Sequence, residues 1–492
     1  MIRGDKCGRA AKGRQRLAMA GALALLSACA TVGPNYVRPE APTPSAFKSP
    51  DAWKDTGEWK LASPGDNVLR GPWWEIYGDP GLNALEAQVV IANQDVAAAE
   101  ARYRQAQTLV TIARSGEMPT VTAGASITGG QRSREVAGGG SRTTDYLLPI
   151  SASWEPDLWG KIRRAVESGT AGVQASRADV EAITLSARAE LAQDYFQMRA
   201  LDAQKKILDE TIEAYRKSLV LTQNRYEAGV AAKSEVLQAD TQLRTIQAQV
   251  IDTRVARAQF EHAIALLVGK PPSVVSLADA PLDAVPPPVP AGLPSALLER
   301  RPDIAGDERR MAAANAQIGV AEAAYYPTVR LGAGTGLEAL SLAKWLTWPA
   351  RFWSLGPSIS EVVFNGDLRK AQTASARAAY DGTVAAYRQT VLSAFKEVED
   401  ALSALRILEA EAKTQDLAVR SAEQSVEMAI NQYKAGTVSY LNVIIAQATA
   451  LGNRRTALDI QGRRMVASVQ LIRALGGGWN ASSLKDAPAG TP

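Results

Sequence analysis

The chain repeats its own plan, and this duplication limits the folds it can adopt more than any other feature. Residues 119–125 correspond to residues 327–333, and residues 159–163 correspond to residues 364–369. A third pair, residues 225–229 and 432–436, keeps nearly the same separation along the chain. We therefore predict an internal duplication in which each half contains a helix, two strands, a long helix, a turn and a returning helix.

In each half, the longest helical pattern is interrupted at one glycine, Gly229 or Gly436. A glycine after a helix permits a left-handed turn, and a serine can cap the helix that follows. We therefore predict two helical hairpins whose returning helices start at Ser234 and Ser439. The first long helix, predicted over residues 161–228, would be roughly 100 Å long.

The length of that helix is nearly matched by two shorter predicted helices, over residues 82–114 and 234–268, stacked end to end. Apolar residues of the long helices follow the spacing of a coiled coil. In the first half they are Leu208, Ile212, Tyr215, Leu219 and Tyr226. In the second half they are Val391, Phe395, Val398, Leu402 and Leu405.

Two alternating runs in each half have the length of transmembrane β-strands. Four strands cannot close a barrel, and open sheet edges are not viable in lipid. Several copies must therefore complete one barrel, and three copies would supply twelve strands. Aromatic residues cluster at the strand ends, where the girdles of membrane barrels lie. They are Tyr146, Trp154, Trp159, Trp345, Trp348, Phe352 and Trp353.

The N-terminus has the pattern of a targeting signal. A positively charged stretch precedes an apolar run over residues 17–26, which is too short to span a bilayer. Residues 26–29 resemble the lipobox of bacterial lipoproteins, which implies cleavage before Cys29 and attachment of lipid to this cysteine. Ala30 follows it, and in such lipoproteins this implies passage to the outer membrane. Multiple acyl chains would give stable anchoring.

These patterns divide the chain into six segments. They are a signal peptide (1–28), a lipid-anchored N-terminal arm (29–80), the first repeat (81–268), a proline-rich linker (269–294), the second repeat (295–476) and a flexible C-terminal tail (477–492).

Charge and chemistry exclude several functional classes. The formal net charge is +4 with interleaved signs, so no basic block predicts nucleic-acid binding. Cys7 lies in the predicted signal peptide, and His262 is the only histidine. The mature chain therefore offers no plausible nucleophile, metal-ligand set or phosphate loop, and we expect no enzymatic activity, cofactor or metal site.

Several segments together resemble one family. Residues 293–304 look very like a signature segment of the outer-membrane efflux proteins, the TolC-like family. Residues 154–163 and both hairpin turns also match it, and the lipobox with residues 32–36 resembles the lipoprotein branch that serves RND-type pumps. The resemblance covers nearly the whole mature chain.

The resemblance implies a membrane α+β fold that assembles as a homotrimer. Four strands per subunit would build a 12-stranded outer-membrane β-barrel, continued by a long periplasmic α-helical coiled-coil tube. Its partners would be outer-membrane lipid, a periplasmic adaptor (membrane fusion) protein and an inner-membrane RND-type pump. The function implied is the passive export of drugs, toxic solutes or metal ions to the exterior.

By the same resemblance, the adaptor docks on the two hairpin turns. The matching positions are Gly229, Val230, Ser234, Glu235, Val236, Leu237, Gly436, Thr437, Ser439, Leu441, Asn442 and Val443. Glu235 and Asn442 depart from the family pattern, in which an aspartate is common. This difference bears on which adaptor fits.

Three acidic residues of the second long helix are spaced seven apart, namely Glu409, Asp416 and Glu423. One interpretation is that they line the duct and favour cationic or zwitterionic cargo. The rival interpretation is a solvated outer face. Nearer the turns, Arg225, Arg420 and Gln432 could pair to hold the end of the tube shut.

A second reading of the whole chain remains open. A lipid-tethered periplasmic coiled-coil scaffold without a pore would share the long helices. Such a scaffold needs neither the paired strands nor the aromatic residues at their ends, so these two features favour the duct.

Overall fold

The computed structural model describes residues 31–41, 44, 71–135, 140–287 and 300–479. The predicted signal peptide, the predicted lipid-attachment residue Cys29 and most of the predicted C-terminal tail lie outside the described residues. The helices of at least ten residues are α1 (Pro80–Ala92), α2 (Gln94–Ser115), α3 (Lys161–Glu227), α4 (Lys233–Leu267), α5 (Pro302–Ala323), α7 (Leu368–Lys434) and α8 (Tyr440–Ala474), and a short helix α6 spans Leu342–Trp345.

The predicted duplication is confirmed by the helix lengths. Both α3 and α7 contain 67 residues, and the returning helices α4 and α8 both contain 35. In the first half, Asn93 just before α2 donates from Nδ2 to the carbonyl oxygen of Leu267, the last residue of α4, at 2.9 Å. In the second half, Arg301 before α5 donates to the carbonyl oxygen of Ala474, the last residue of α8, at 3.1 Å. A short helix is therefore stacked on each returning helix.

The single helix predicted over residues 82–114 is wrong, because the chain breaks at Asn93 between α1 and α2. The Asn93 side chain accepts hydrogen bonds from the backbone N–H groups of Asp95 and Val96, at 2.9 and 3.1 Å. Asparagine is a favourable N-cap residue. Asn93 is therefore both the C-cap of α1 and the N-cap of α2.

The predicted seam of α7 is confirmed, since all five of its residues are buried. In α3, Leu208 and Tyr215 are buried and Ile212 and Leu219 are half-buried. Tyr226 is 44% exposed, so its assignment to the seam is wrong.

None of the helices in the described part of the chain combines the length and the hydropathy needed to cross a bilayer.

The strands form one antiparallel sheet. They are β1 (Thr120–Ala123), β2 (Ser126–Gln131), β3 (Arg142–Trp154), β4 (Thr328–Ala339) and β5 (Arg351–Ser360). The first predicted strand is interrupted between β1 and β2, but both parts pair with β3 in one continuous register. Gly124 in the interruption donates its N–H to the Pro149 carbonyl at 3.0 Å, whereas Pro149 has no N–H to return. The sheet therefore has four runs, with β1 and β2 at one edge and β5 at the other.

The N-terminal arm is held against the helices close to the sheet. Arg164, which is 3% exposed, donates to the carbonyl oxygens of Val32 and Gly33 and to Asn35 Oδ1, at 2.9 to 3.1 Å. Gly33 lies so close to Gly319 that a Cβ there would come within 2.4 Å of the Gly319 Cα. The arm thus packs between α3 and α5.

Candidate functional site

The two hairpin turns adopt the left-handed conformation predicted for them. Gly229 has φ of 70° and Gly436 has φ of 78°. Just beyond each glycine, a backbone N–H reaches back five residues: Val230 donates to Arg225 at 2.9 Å, and Thr437 donates to Gln432 at 3.1 Å. Both turns therefore close the long helices in the same way.

Of the two predicted serine caps, Ser234 is wrong and Ser439 is confirmed in position only. Helix α4 starts at Lys233 with Ala232 in the N-cap position, so Ser234 lies inside the first turn. Ser439 is the N-cap of α8, but its side chain makes no capping hydrogen bond. In both helices the backbone carbonyl of the N-cap residue accepts instead, from Glu235 N–H at 3.0 Å and from Asn442 N–H at 3.1 Å.

The predicted docking residues differ in accessibility. Glu235 and Val236 are half-buried, whereas Val443 is only 1% exposed and packs between the hairpins. In this conformation Val443 is therefore not accessible to a docking partner. The exposed positions are Gly229, Val230, Ser234, Leu237, Gly436, Thr437, Ser439, Leu441 and Asn442. Three apolar members remain in contact with solvent: Val230 at 64%, Leu237 at 59% and Leu441 at 51%.

A tyrosine that the sequence reasoning missed joins the ends of the two hairpins. Tyr433, at the end of α7, is 2% exposed, and its hydroxyl donates to Glu235 Oε2 of α4 at 2.9 Å. Its ring packs on Tyr440 with centroids 5.4 Å apart. Burial and the bond to Glu235 raise the pKa of Tyr433. The duplication could have revealed this residue, because Tyr433 is the repeat of Tyr226.

Arg225 forms a second tie between the hairpins. It donates to the carbonyl oxygen of Lys434 at 3.2 Å, and its guanidinium lies 4.7 Å from the centre of the Tyr433 ring. Of the three residues predicted to hold the end shut, Arg225 reaches the other hairpin. Arg420 pairs instead with Asp416 of its own helix at 2.6 Å, and Gln432 is exposed.

Each residue of the proposed acidic stripe lies beside a cation. Glu409 pairs with Lys413 at 2.8 Å, Asp416 with Arg420, and Glu423 accepts from Arg454 Nε at 2.6 Å. Their side chains are 23%, 57% and 41% exposed, respectively. Within the described ranges, no group of three or more His, Cys, Asp or Glu side chains could hold a metal ion.

The paired register of the sheet separates two faces of different chemistry. Residues directly opposite each other share a face. On one face, here called the apolar face, Leu148 lies opposite Leu337 and Ala333 lies opposite Leu355. The other, the polar face, is mainly Gly, Ser and Thr, as in Gly334 opposite Ser354.

The apolar face is also solvent-exposed in the single chain. Leu355, Ile359 and Trp353 are exposed by 76%, 73% and 79%, respectively. A continuous apolar surface with a polar reverse side is the pattern of strands that lie between lipid and an aqueous lumen. Phe352 lies on the polar face and Trp159 stacks on Tyr326 with centroids 4.8 Å apart, so neither belongs to a lipid-facing girdle.

Comparisons with known proteins agree on one family. The family model described as "Outer membrane efflux protein" matches residues 87–270 and 293–477. The chain is 30% identical over 470 residues to the pyoverdine export outer membrane protein OpmQ of Pseudomonas aeruginosa, covering 93% of this chain and 97% of OpmQ. It is 27% identical over 456 residues to the cation efflux system protein CusC of Escherichia coli strain K12, covering 92% and 97%.

A solved structure of the outer-membrane channel OprN superposes with a TM-score of 0.84 at 32% identity. The match covers 92% of this chain and 100% of OprN.

Proposed function

The chain belongs to the outer membrane efflux protein family, and we propose that it is the outer-membrane channel of a tripartite efflux system. It lets drugs, toxic solutes or metal ions pass from a periplasmic adaptor and an inner-membrane pump to the exterior. The duct is passive and catalyses no reaction, because the pump supplies the energy. Similar proteins include a pyoverdine export outer membrane protein and a cation efflux system protein. We expect the pump and the adaptor, not this channel, to select the cargo.

The observation that carries this proposal is the sheet with one apolar and one polar face. Within the described residues, both outer edges of the sheet lack a partner strand, and open edges are not viable in lipid. Three copies joined edge to edge supply the twelve strands of a closed barrel, with the apolar face toward lipid. Because β1 and β5 run in opposite directions, the strands that meet at each join are antiparallel.

The protein is anchored in the outer membrane by lipid on Cys29 and extends into the periplasm. Helices α2, α3, α5 and α7 all leave the same end of the sheet, so they continue the barrel as a tube. The hairpin turns lie at the far end of that tube. The exposed apolar residues Val230, Leu237 and Leu441 support their role as the adaptor-docking surface, since they would otherwise face water.

The proposal is tested by measuring the oligomeric state and the conductance of the lipidated protein, purified in mild detergent. We expect a heat-resistant trimer that produces stable conductance steps in planar bilayers. Leu355→Asp places a charge on the apolar face and should reduce membrane insertion, at a cost of about 2 kcal/mol per protomer. Ser354→Asp, the neighbouring residue on the polar face, should insert and conduct.

Two outcomes would contradict the proposal. A monomer that is wholly helical by circular dichroism would support the lipid-tethered scaffold instead. Equal insertion of the Leu355→Asp and Ser354→Asp variants would show that the apolar face does not meet lipid.

A further inference from the structure

The connection between β4 and β5, residues 340–350, folds over one side of the sheet. It contains α6 and a short 3-10 turn, Trp348–Ala350. The Trp345 ring of α6 packs against Tyr146 of β3, with centroids 5.5 Å apart. Tyr146 pairs with Ala339 and Ile127 on the apolar face. The connection therefore covers the outer margin of the apolar face and leaves the polar face uncovered.

This connection lies at the end of the sheet opposite the helices. Strand β4 starts five residues after α5 ends, and β5 ends eight residues before α7 starts. The turn between β4 and β5 is thus farthest from the tube. Since the tube is periplasmic, the connection lies at the outer surface of the membrane.

Large apolar side chains of the connection contact solvent. Leu342, Leu346 and Trp348 are exposed by 63%, 72% and 74%, respectively. Leucine and tryptophan at this level are suited to the boundary between acyl chains and headgroups. They continue the apolar face outward from Trp353, which is on the same face.

Two cations accompany these apolar residues. The Arg351 guanidinium lies 3.1 Å from the centre of the Trp348 ring, and its Nε donates to the Trp348 carbonyl at 3.1 Å. Lys344 of α6 is exposed. Within the described part of the chain, neither cation has a carboxylate at salt-bridge distance. The stacking holds the Arg351 guanidinium in place and leaves its two terminal nitrogens for an outside acceptor.

The sign of charge differs between the two faces of the sheet. On the apolar face the charged strand residues are Arg142 and Arg351, both at or beyond the level of Leu148. The polar face carries Asp145, Arg330 and Glu338. The outer margin of the apolar face is therefore purely cationic, which complements an anionic group at the height of lipid headgroups.

We propose that Lys344, Trp348 and Arg351, here called the outer rim, bind a phosphate-bearing lipid of the outer leaflet. The guanidinium fork and the ammonium group contact the phosphate, and Leu342, Leu346 and Trp353 contact the acyl chains. This inference rests on the proposed function, because it requires the apolar face to meet lipid. Charge complementarity and continuity with the apolar face favour lipid over a protein partner.

The test is native mass spectrometry of the trimer in detergent with equal amounts of phosphatidic acid and phosphatidylcholine. We expect the wild type to retain phosphatidic acid preferentially, and added salt to weaken this preference. In the double variant Lys344→Gln, Arg351→Gln, each outer rim loses both cations. The ratio of retained phosphatidic acid to phosphatidylcholine should therefore fall by about thirtyfold for each rim. The control, Arg330→Gln, removes a cation from the polar face and should leave the ratio unchanged.

Conductance of the same samples separates the two proposals. The lipid site alone is overturned in either of two cases. In the first, the wild type conducts normally but retains phosphatidic acid and phosphatidylcholine equally; in the second, the double variant conducts normally and keeps the wild-type lipid ratio. A wild-type trimer that does not conduct overturns the proposed function. If inorganic phosphate displaces the lipid, the rim is a free-anion site, and if trimers associate in pairs through the rim, its occupant is a second copy; either result overturns the lipid assignment. Arg351→Lys, a milder variant, should retain a reduced preference.

Discussion

At the scale of single residues, two tyrosines at equivalent positions of the duplication have different roles. Tyr226 is 44% exposed, whereas Tyr433 is 2% exposed and bonded to Glu235. The sequence repeat places both tyrosines at the end of a long helix. Their environments differ only because one hairpin packs on the other and buries Tyr433. The same bond gives Glu235 a role inside the protomer, besides any contact with a partner.

We expect Tyr433→Phe to loosen the contact between the two hairpins of each protomer. The variant keeps the ring contacts with Arg225 and Tyr440 but loses the hydrogen bond to a carboxylate, worth about 2 kcal/mol per protomer. Single-channel recordings should show larger or more frequent openings. Tyr226→Phe, which changes an exposed tyrosine in the other hairpin, is the control, and identical recordings for both variants would exclude the tie as a closure.

A second residue outside the predicted sites is Glu86 of α1. Its side chain is fully buried, and within the described residues neither carboxylate oxygen has a hydrogen-bond partner. Arg188 Nε lies 3.9 Å from Oε2. Burial raises the pKa of Glu86 to about 9, and the attraction of Arg188 opposes this only in part.

The ordinary pKa of a glutamate is 4.5, and burial raises that of Glu86 to about 9 in the folded chain. Between these two pH values, Glu86 is protonated in the folded chain and ionised in the unfolded chain. Its contribution to stability is therefore present at acidic pH and is lost progressively as pH rises from 4.5 toward 9. Glu86→Gln should raise the melting temperature at pH 8 and change it little at pH 5. Thermal unfolding at both pH values checks this, with the exposed Glu100→Gln as control, and a shift of equal size at both would contradict it.

At the scale of elements, periodicity predicted the helices and strands well but missed their interruptions. Alternation along β1 to β3 was enough to assign faces, because side chains of a strand point to opposite sides. The break at Asn93 depends on a cap that reaches α4, and the break opposite Pro149 depends on the neighbouring strand. Both are tertiary effects, so a pattern within one segment could not predict them.

The hairpin turns were predicted in place and conformation, but the orientation of their side chains was not. Val443 follows the same local pattern as Leu441, yet it is buried by the first hairpin. Cross-hairpin packing is not encoded in the spacing of one helix. The exposed subset of the predicted docking residues therefore had to come from the structure.

The docking surface gives a prediction at this scale. Leu237→Asp combined with Leu441→Asp should weaken adaptor binding by about 2 kcal/mol or more, because a charge replaces an apolar contact on each returning helix. Export in cells and cross-linking to the cognate adaptor are the measurements. The variant trimer should still conduct in bilayers, as should the control Gln223→Asp, and normal export by the double variant would place docking elsewhere.

At the scale of the whole molecule, the duct and its acidic stripe set the expected selectivity. Neutralising Glu409, Asp416 and Glu423 to Gln should reduce the preference of the channel for cations several-fold, if these residues face the duct. Asp240→Asn, which removes a carboxylate paired with Arg244 of α4, is the control. An unchanged reversal potential in a salt gradient would place the stripe on the solvated outer face.

The edges of the sheet have a consequence for inheritance. One edge is formed by β1 and β2 and the other by β5, so each copy must offer both kinds of edge to its neighbours. A copy with one damaged edge can still join a normal copy through its intact edge, and the ring that results cannot close. Mutations in β1, β2 or β5 should therefore be dominant over a normal copy of the gene, whereas mutations that only prevent the chain from being made should be recessive.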